Sequence, residues 1–334
     1  MKLIETIKGI RQFYVYDDME VIAFNNKVHV GNKEFDSSER DDFYVDHGVL
    51  TKHNFDDPKN TYFVYVGDHF EEFHSKYKYA NHFSKSEYYS SENGEGGIEK
   101  CCMFEHGQEY CFTIREQEKT YIAHYDSKSS ILMIPLWDDK TMVFYTKTGE
   151  RLWEYKEEDK NLKINGRCIP VVDDVVVVIS EDCAVAEKIQ GFNIHTGKKL
   201  WEISNAEEIV CPNTFFVGED QYLYGCCTEC AYYDEESNLI MTKLNPKNGN
   251  TESIDVGMGF SAMSYDVTMH GRQLYYIDNR PGNEIGVIDV DKKELIERVP
   301  LNIKKKVTIG APVVTDDKVY VFIRDLKELR VFEK

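Results

Sequence analysis

The ten residues TKTGERLWEY, Thr146 to Tyr155, return as IHTGKKLWEI, Ile194 to Ile203, so that Trp153 and Trp201 stand 48 residues apart. Each copy is a Thr-Gly turn followed by apolar-polar alternation, the pattern of a hairpin entering a strand. A chain that resembles itself at an interval of about 20 to 50 residues builds repeated units that bury their apolar faces on one another. A sandwich is not expected to repeat its sequence in this way.

Weaker copies extend the period. The turn Asn248-Gly249, inside LNPKNGNTESI (Leu244 to Ile254), follows Thr196-Gly197 by 52 residues. In Val287 to Val299, Leu295-Ile296-Glu297 stands where Leu200-Trp201-Glu202 stood, with the glycine lost. A second marker, a polar turn at the head of an apolar run, recurs at Asp174, Asp220, Gly271 and Asp317, in steps of 46, 51 and 46 residues. Within each unit the apolar residues alternate or form β-branched and aromatic blocks of about four to eight, which is how strands read. Four strands in about 40 to 50 residues is the blade of a β-propeller, and one all-β domain is expected over residues 1–334.

The chain stops at Lys318 to Lys334 without the Leu-Trp-like strand that should follow, and Leu3-Ile4-Glu5-Thr6-Ile7 resembles that strand. The expectation is a single closed propeller whose N-terminal strand completes the last blade, leaving neither terminus to fray. Leu-Trp-like strands at Ile4, about Leu50, about Cys102, Trp153, Trp201, Ser253 and Ile296 make seven blades, with eight as the alternative.

Composition bounds the function. There are 59 acidic and 40 basic residues, a net charge of −19, which repels nucleic acid and anionic membranes and steers basic partners inward. No apolar run is long enough to cross a membrane, and Glu5, Lys8 and Arg11 interrupt any export signal, so a cytoplasmic protein is expected. The nine cysteines are not spaced as a secreted disulfide framework and read as small buried hydrophobes. Cys226 to Cys230 holds one Cys-x-x-Cys pair with no second pair or nearby histidine to complete a metal shell. His69, His74 and His82 match no ligand spacing, so no metal and no cofactor is expected. Serine-hydrolase elbows, zinc-protease helices and phosphate loops are absent as motifs, so no catalytic residue is assigned.

The acid comes in groups: Asp17, Asp18 and Glu20; Glu39, Asp41 and Asp42; Glu157, Glu158 and Asp159; Glu207 and Glu208; Asp234, Glu235 and Glu236. Residues 68–97 interrupt the repeat rhythm and read as an irregular segment rich in Tyr and Phe, of the kind that protein interfaces favour. Candidate partner-binding residues are therefore Glu71, Glu72, Tyr77, Tyr79, Tyr88, Tyr89, Asp234, Glu235 and Glu236.

The Thr-Gly-x-x-Leu-Trp turn resembles the repeat of the quinoprotein-alcohol-dehydrogenase-like (PQQ-like) β-propellers, with recognisable copies from Thr146 onward. The resemblance implies the fold. Its dehydrogenases are longer, exported enzymes with calcium, a quinone and a disulfide between adjacent cysteines. Cys101-Cys102 and Cys226-Cys227 are adjacent here, without the length or the ligand set. The expected function is a non-enzymatic, protein-binding propeller, most specifically an immunity or antitoxin-type inhibitor of a basic bacterial toxin domain. The alternatives are a scaffold in a cytoplasmic assembly and a small-ligand or enzyme site in a central funnel.

Overall fold

The computed structural model describes residues 1–46, 48–54, 56, 61–77, 79–84, 87–95, 97–115, 120, 123–136, 138–182, 185–204, 215–228, 238–258, 267–278, 282–304 and 307–334. The chain divides into two compact units. The N-terminal unit takes Lys8–Trp137 and Met142–Glu154, and the C-terminal unit takes Met1–Ile7, Asp138–Thr141 and Tyr155–Lys334.

Strand β1 (Lys2–Lys8) opens the chain and belongs to the C-terminal unit. The N-terminal unit is four antiparallel sheets, each threaded in sequence order. They are β2 (Gln12–Tyr16), β3 (Met19–Ala23), β4 (Lys27–Val30) and β5 (Lys33–Asp36); β6 (Asp41–Asp46), β7 (Val49–Asn54), β8 (Thr61–Val66) and β9 (His69–His74); β10 (Tyr79–Ser84), β11 (Glu87–Gly94), β12 (Gly97–Glu105) and β13 (Gln108–Thr113); and β14 (His124–Asp126), β15 (Ile131–Pro135), β16 (Thr141–Thr146) and β17 (Arg151–Lys156).

The C-terminal unit repeats the plan. Its first sheet has β18 (Lys163–Ile164) and β19 (Val171–Val172) pairing opposite ends of β20 (Val175–Asp182), followed by β21 (Val185–Asn193) and β22 (Lys199–Ser204). Next come β23 (Phe216–Val217), β24 (Leu223–Thr228), β25 (Asn238–Leu244) and β26 (Thr251–Met258), then β27 (Val267–His270), β28 (Gln273–Asp278), β29 (Gly282–Asp289) and β30 (Glu294–Ile303). The last sheet is β31 (Val313–Val314), β32 (Lys318–Ile323) and β33 (Glu328–Glu333), with β1 as its fourth strand beside β33. The expected pairing of the two termini is present.

Inner strands are apolar throughout because both faces are covered. Ile131 to Pro135 and Val175 to Ser180 are buried without a break, whereas the outer strand Arg151–Lys156 alternates half-buried and exposed. Cores lie between consecutive sheets. In the N-terminal unit Phe70 of β9 meets Phe35 and Tyr65 at centroid distances of 5.2 Å each, while Phe73, three residues on and therefore on the opposite face, meets Tyr88 at 4.8 Å. Phe70→Leu keeps an apolar side chain but is smaller and loses these edge-to-face pairs, and is expected to lower stability by about 1–2 kcal/mol in urea unfolding.

The structure shows eight sheets among the described residues, which replaces the favoured seven with the alternative eight. Leu50 lies in β7 and Cys102 in β12, neither of them an outer strand. The true outer strands begin at Lys33, His69, Gln108 and Arg151, 36 to 43 residues apart, closer than the 48 between Trp153 and Trp201. Short hairpins compress the early units, and a period taken from the later ones skips a unit. Residues 68–97 carry β9, β10 and β11 in antiparallel sheets, with the pairing shifting register between His82 and Ser84 and between Glu92 and Asn93. Charged residues on the exposed face mask their alternation.

The repeated motif has a packing role. In the C-terminal unit Trp201 lies on Gly191 of its own sheet and on Gly249 in a turn of the next; a Cβ there would stand 2.2 Å and 2.7 Å from the indole. Its Nε1–H donates to the Pro246 carbonyl at 2.7 Å. Phe112 presses on Gly149 in the same way within the N-terminal unit, 2.4 Å from a Cβ there. In the copy that lost its glycine, Lys293 takes the left-handed conformation, at φ 59°. Pairing also moves that copy by one residue: Trp201 faces Gly191, whereas Glu297, not Ile296, faces Val287.

Candidate interaction surface

Burial sorts the acidic residues. Among the described residues four acids are buried, Asp41, Glu105, Glu157 and Asp278, and each has a cation within 4 Å. The pairs are Asp41–Lys52 at 3.5 Å, Glu105–Lys147 at 2.7 Å, Glu157–Lys188 at 2.7 Å and Asp278–Arg298 at 3.2 Å.

Glu157 is the most completely satisfied of them. It follows β17, is 3% exposed, and accepts from Ser180 Oγ at 2.6 Å, Tyr155 Oη at 2.7 Å, Lys188 Nζ at 2.7 Å and the Asp159 N–H at 3.0 Å. Burial alone would raise its carboxyl, but these donors outweigh it and hold the group at about 2. Lys140 Nζ closes the following loop by donating to the Asp159 and Lys160 carbonyls at 2.7 and 2.9 Å. Glu105 accepts from Tyr125 Oη, and burial, reinforced by this carboxylate, pushes the Tyr125 phenol far up. These networks fix the strand ends.

Many of the exposed acids sit on hairpin turns. In the N-terminal unit Asp17 and Asp18 form the two-residue turn between β2 and β3, both left-handed at φ 48° and 58°; this is a type I′ geometry that Asp tolerates and β-branched residues do not. In the C-terminal unit Asp173-Asp174 joins β19 to β20, Asp220 precedes β24, and Asp316-Asp317 joins β31 to β32. Turns of neighbouring sheets meet there: Asp173 reaches Lys247 at 3.0 Å, Asp220 reaches Arg272 at 2.9 Å, and Asp316 reaches His270 at 3.1 Å. Asp174 lies 3.3 Å from His195, and Arg272 also holds Asp291 at 2.6 Å. Exposed pairs of this kind contribute about 0–1 kcal/mol each, so the face is electrostatically patterned without being rigidly locked.

The residues singled out in the sequence separate. Glu71 and Glu72 are exposed on opposite faces of β9, beside His69 at 3.4 Å and His74 at 3.1 Å. Tyr77 is half-buried, and Tyr79 begins β10 opposite Ser91. Tyr88 and Tyr89 are each 4% exposed and belong to cores between sheets, so they are withdrawn from the surface. Their aromatic character reflects packing across two covered faces. Asp234, Glu235 and Glu236 lie outside the described residues, as do Glu207 and Glu208. The turn acids Asp173, Asp174, Asp316 and Asp317 were legible as Asp-Asp pairs heading apolar runs, but served there only as markers of the period.

The cysteines also differ from expectation. Cys102 of β12 and Cys111 of β13 are directly opposed and form a disulfide, whereas the adjacent Cys101 points into the core and meets Tyr89 Oη at 3.4 Å. Burial pushes the Cys101 thiol up to about 12 and the Cys168 thiol up to about 11. Cys226 and Cys227 lie on β24 opposite Met241 and Ile240, and Cys230 is outside the described residues.

No protein-family model matches the chain, and no curated protein matches it. Solved structures do. BamB from Moraxella catarrhalis is similar over 99% of both chains at 10% identity, with a TM-score of 0.54. AztD from Citrobacter koseri in its apo form is similar over 94% of this chain and 88% of that one at 12% identity, with a TM-score of 0.57. A catalytically inactive virginiamycin B lyase from Staphylococcus aureus, solved with quinupristin, is similar over 99% and 100% at 12% identity, with a TM-score of 0.50. At such identities the likeness is one of architecture, and with the eight threaded sheets it makes this chain a β-propeller.

Proposed function

We propose that the chain is a non-enzymatic, protein-binding β-propeller that captures a basic protein, in its most specific form as a cytoplasmic immunity-type inhibitor of a basic bacterial toxin domain. What carries the reading is the sorting of charge. Each buried acid among the described residues has its own cation, so burial does not absorb the net charge of −19, and exposed turns and outer strands present the excess to solvent. An acidic surface raises the association rate with a basic partner and disfavours nucleic acid as a competitor. The Thr-Gly turn with its Leu-Trp strand supports placing the chain among the PQQ-like propellers, used here as a binding platform and not for redox chemistry.

Capture from the native host, followed by association kinetics with the purified partner, tests this. The expected partner is basic, with a pI above about 9. Its association rate should fall at least about tenfold between low salt and about 0.3 M salt. Asp173→Lys, Asp174→Lys, Asp316→Lys and Asp317→Lys combined should slow association with little change in dissociation. An acidic partner, no partner, or a salt-independent rate sinks the proposal. A basic partner that is harmless when expressed without this chain removes the inhibitor reading and leaves a scaffold.

A further inference from the structure

We infer that the Cys102–Cys111 pair, once reduced, forms with Glu109 a three-ligand site for a thiophilic divalent cation such as Zn2+. Three observations converge on it. Cys102 and Cys111 are opposed in register across β12 and β13, so their Cβ atoms project from the same face of the sheet. Glu109 precedes Cys111 by two residues on β13, and the period of two puts its side chain on that face too. The two sulfurs and a Glu109 carboxylate oxygen all lie within 4.8 Å of one another. A tetrahedral zinc with Zn–S bonds of about 2.3 Å needs its sulfurs about 3.8 Å apart, a separation that side-chain rotation reaches once the S–S bond is cleaved.

The surroundings suit an exchangeable cation. Cys111 and Glu109 are exposed and give entry from solvent, while Cys102 is 0% exposed and anchors the site in the sheet. Glu109 meets Lys76 Nζ at 3.2 Å, but both side chains are nearly half exposed, so solvent screening leaves the lysine readily displaced. The chemistry balances. A thiol reductant gives two electrons and two protons to the disulfide and is itself oxidised to a disulfide. The cation then displaces both thiol protons and forms two metal–sulfur bonds, with the carboxylate third and water fourth. Disulfide and metal site are alternative states of the same two sulfurs, so a reducing compartment favours the metal form.

Cd2+ titrated into the full chain, followed by sulfur-to-cadmium charge-transfer absorbance and by equilibrium dialysis, tests the assignment. The reduced wild type is expected to bind one equivalent more than either the oxidised wild type or reduced Cys111→Ser. Glu109→Gln should weaken that equivalent at least about tenfold. Both positions are exposed, and thermal unfolding verifies that the variants fold. Equal stoichiometry in reduced wild type and Cys111→Ser overturns the site. Tight binding unchanged by Glu109→Gln overturns the third ligand and with it the three-ligand assignment.

Discussion

Glu157→Ala is expected to lower the stability of the fold by about 3–5 kcal/mol, because it strips a half-buried cation and its neighbours of their shared acceptor. Alanine removes the acceptor of Ser180 Oγ, Tyr155 Oη, Lys188 Nζ and the Asp159 N–H together. It leaves a half-buried ammonium and two hydroxyl groups to find new partners. The same carboxylate has a pH signature. Its value of about 2 in the folded chain lies below the ordinary 4.5, so its contribution is fully present above about pH 4.5 and is lost as pH falls from there through 2. That difference corresponds to about 3 kcal/mol. Urea unfolding between pH 7 and pH 2 should show the wild type losing about 3 kcal/mol more than Glu157→Gln, which is the weaker of the two at pH 7. Parallel acid profiles for the two proteins would contradict the assignment.

Gly249→Val is expected to cost about 3–4 kcal/mol by two separable mechanisms. The residue stands at φ 75°, where a β-branched side chain is strained, and its Cβ would lie 2.7 Å from the indole of Trp201. A rigid bicyclic ring cannot yield as a flexible side chain would, so Trp201 must leave Gly191 and give up its bond to the Pro246 carbonyl. Gly271 provides the comparison, with φ 58° and nothing within 4 Å of an added Cβ. Gly271→Val should therefore show the backbone strain without the ring overlap, about 1–2 kcal/mol. Thermal or urea unfolding of the two variants separates strain from overlap, and equal losses would mean that the tryptophan contact is not what constrains Gly249.

The contrast between these glycines explains which parts of the architecture could be read from the residues alone. Trp201 is held to its identity because an indole pressed between two glycines tolerates few substitutes, while Trp153, its counterpart in the repeat, stacks on Phe144 at a centroid distance of 3.6 Å. In the earlier units Phe112 performs the same pressing on Gly149, and Phe70 and Phe73 pack without a glycine partner. There the physics is conserved in kind but not in letters, and one sheet between Leu50 and Trp153 went uncounted. Surface chemistry was less legible. Tyr88 and Tyr89 look like interface residues because a strand covered on both faces has no polar side to betray its depth. The Asp-Asp turns were visible, but only the pairing of strands shows that Asp173, Asp220 and Asp316 meet cations from neighbouring sheets. Cys111 could not be matched to Cys102 before the hairpin between them was known, since their nine-residue separation is fixed by the register of β12 on β13.

The neighbourhood of β1 and β33 has a consequence for how the protein comes into being. One sheet draws its outermost strand from Lys2–Lys8 and its other three from β31, β32 and β33 at the far end of the described sequence, so no sheet partner exists for Lys2–Lys8 until those strands have been made. Until then Lys2–Lys8 must wait as an unzipped edge, open to mispairing with other nascent chains. Joining such distant parts of the polymer carries an entropic cost that only the finished sheet repays, so assembly should be slow and late.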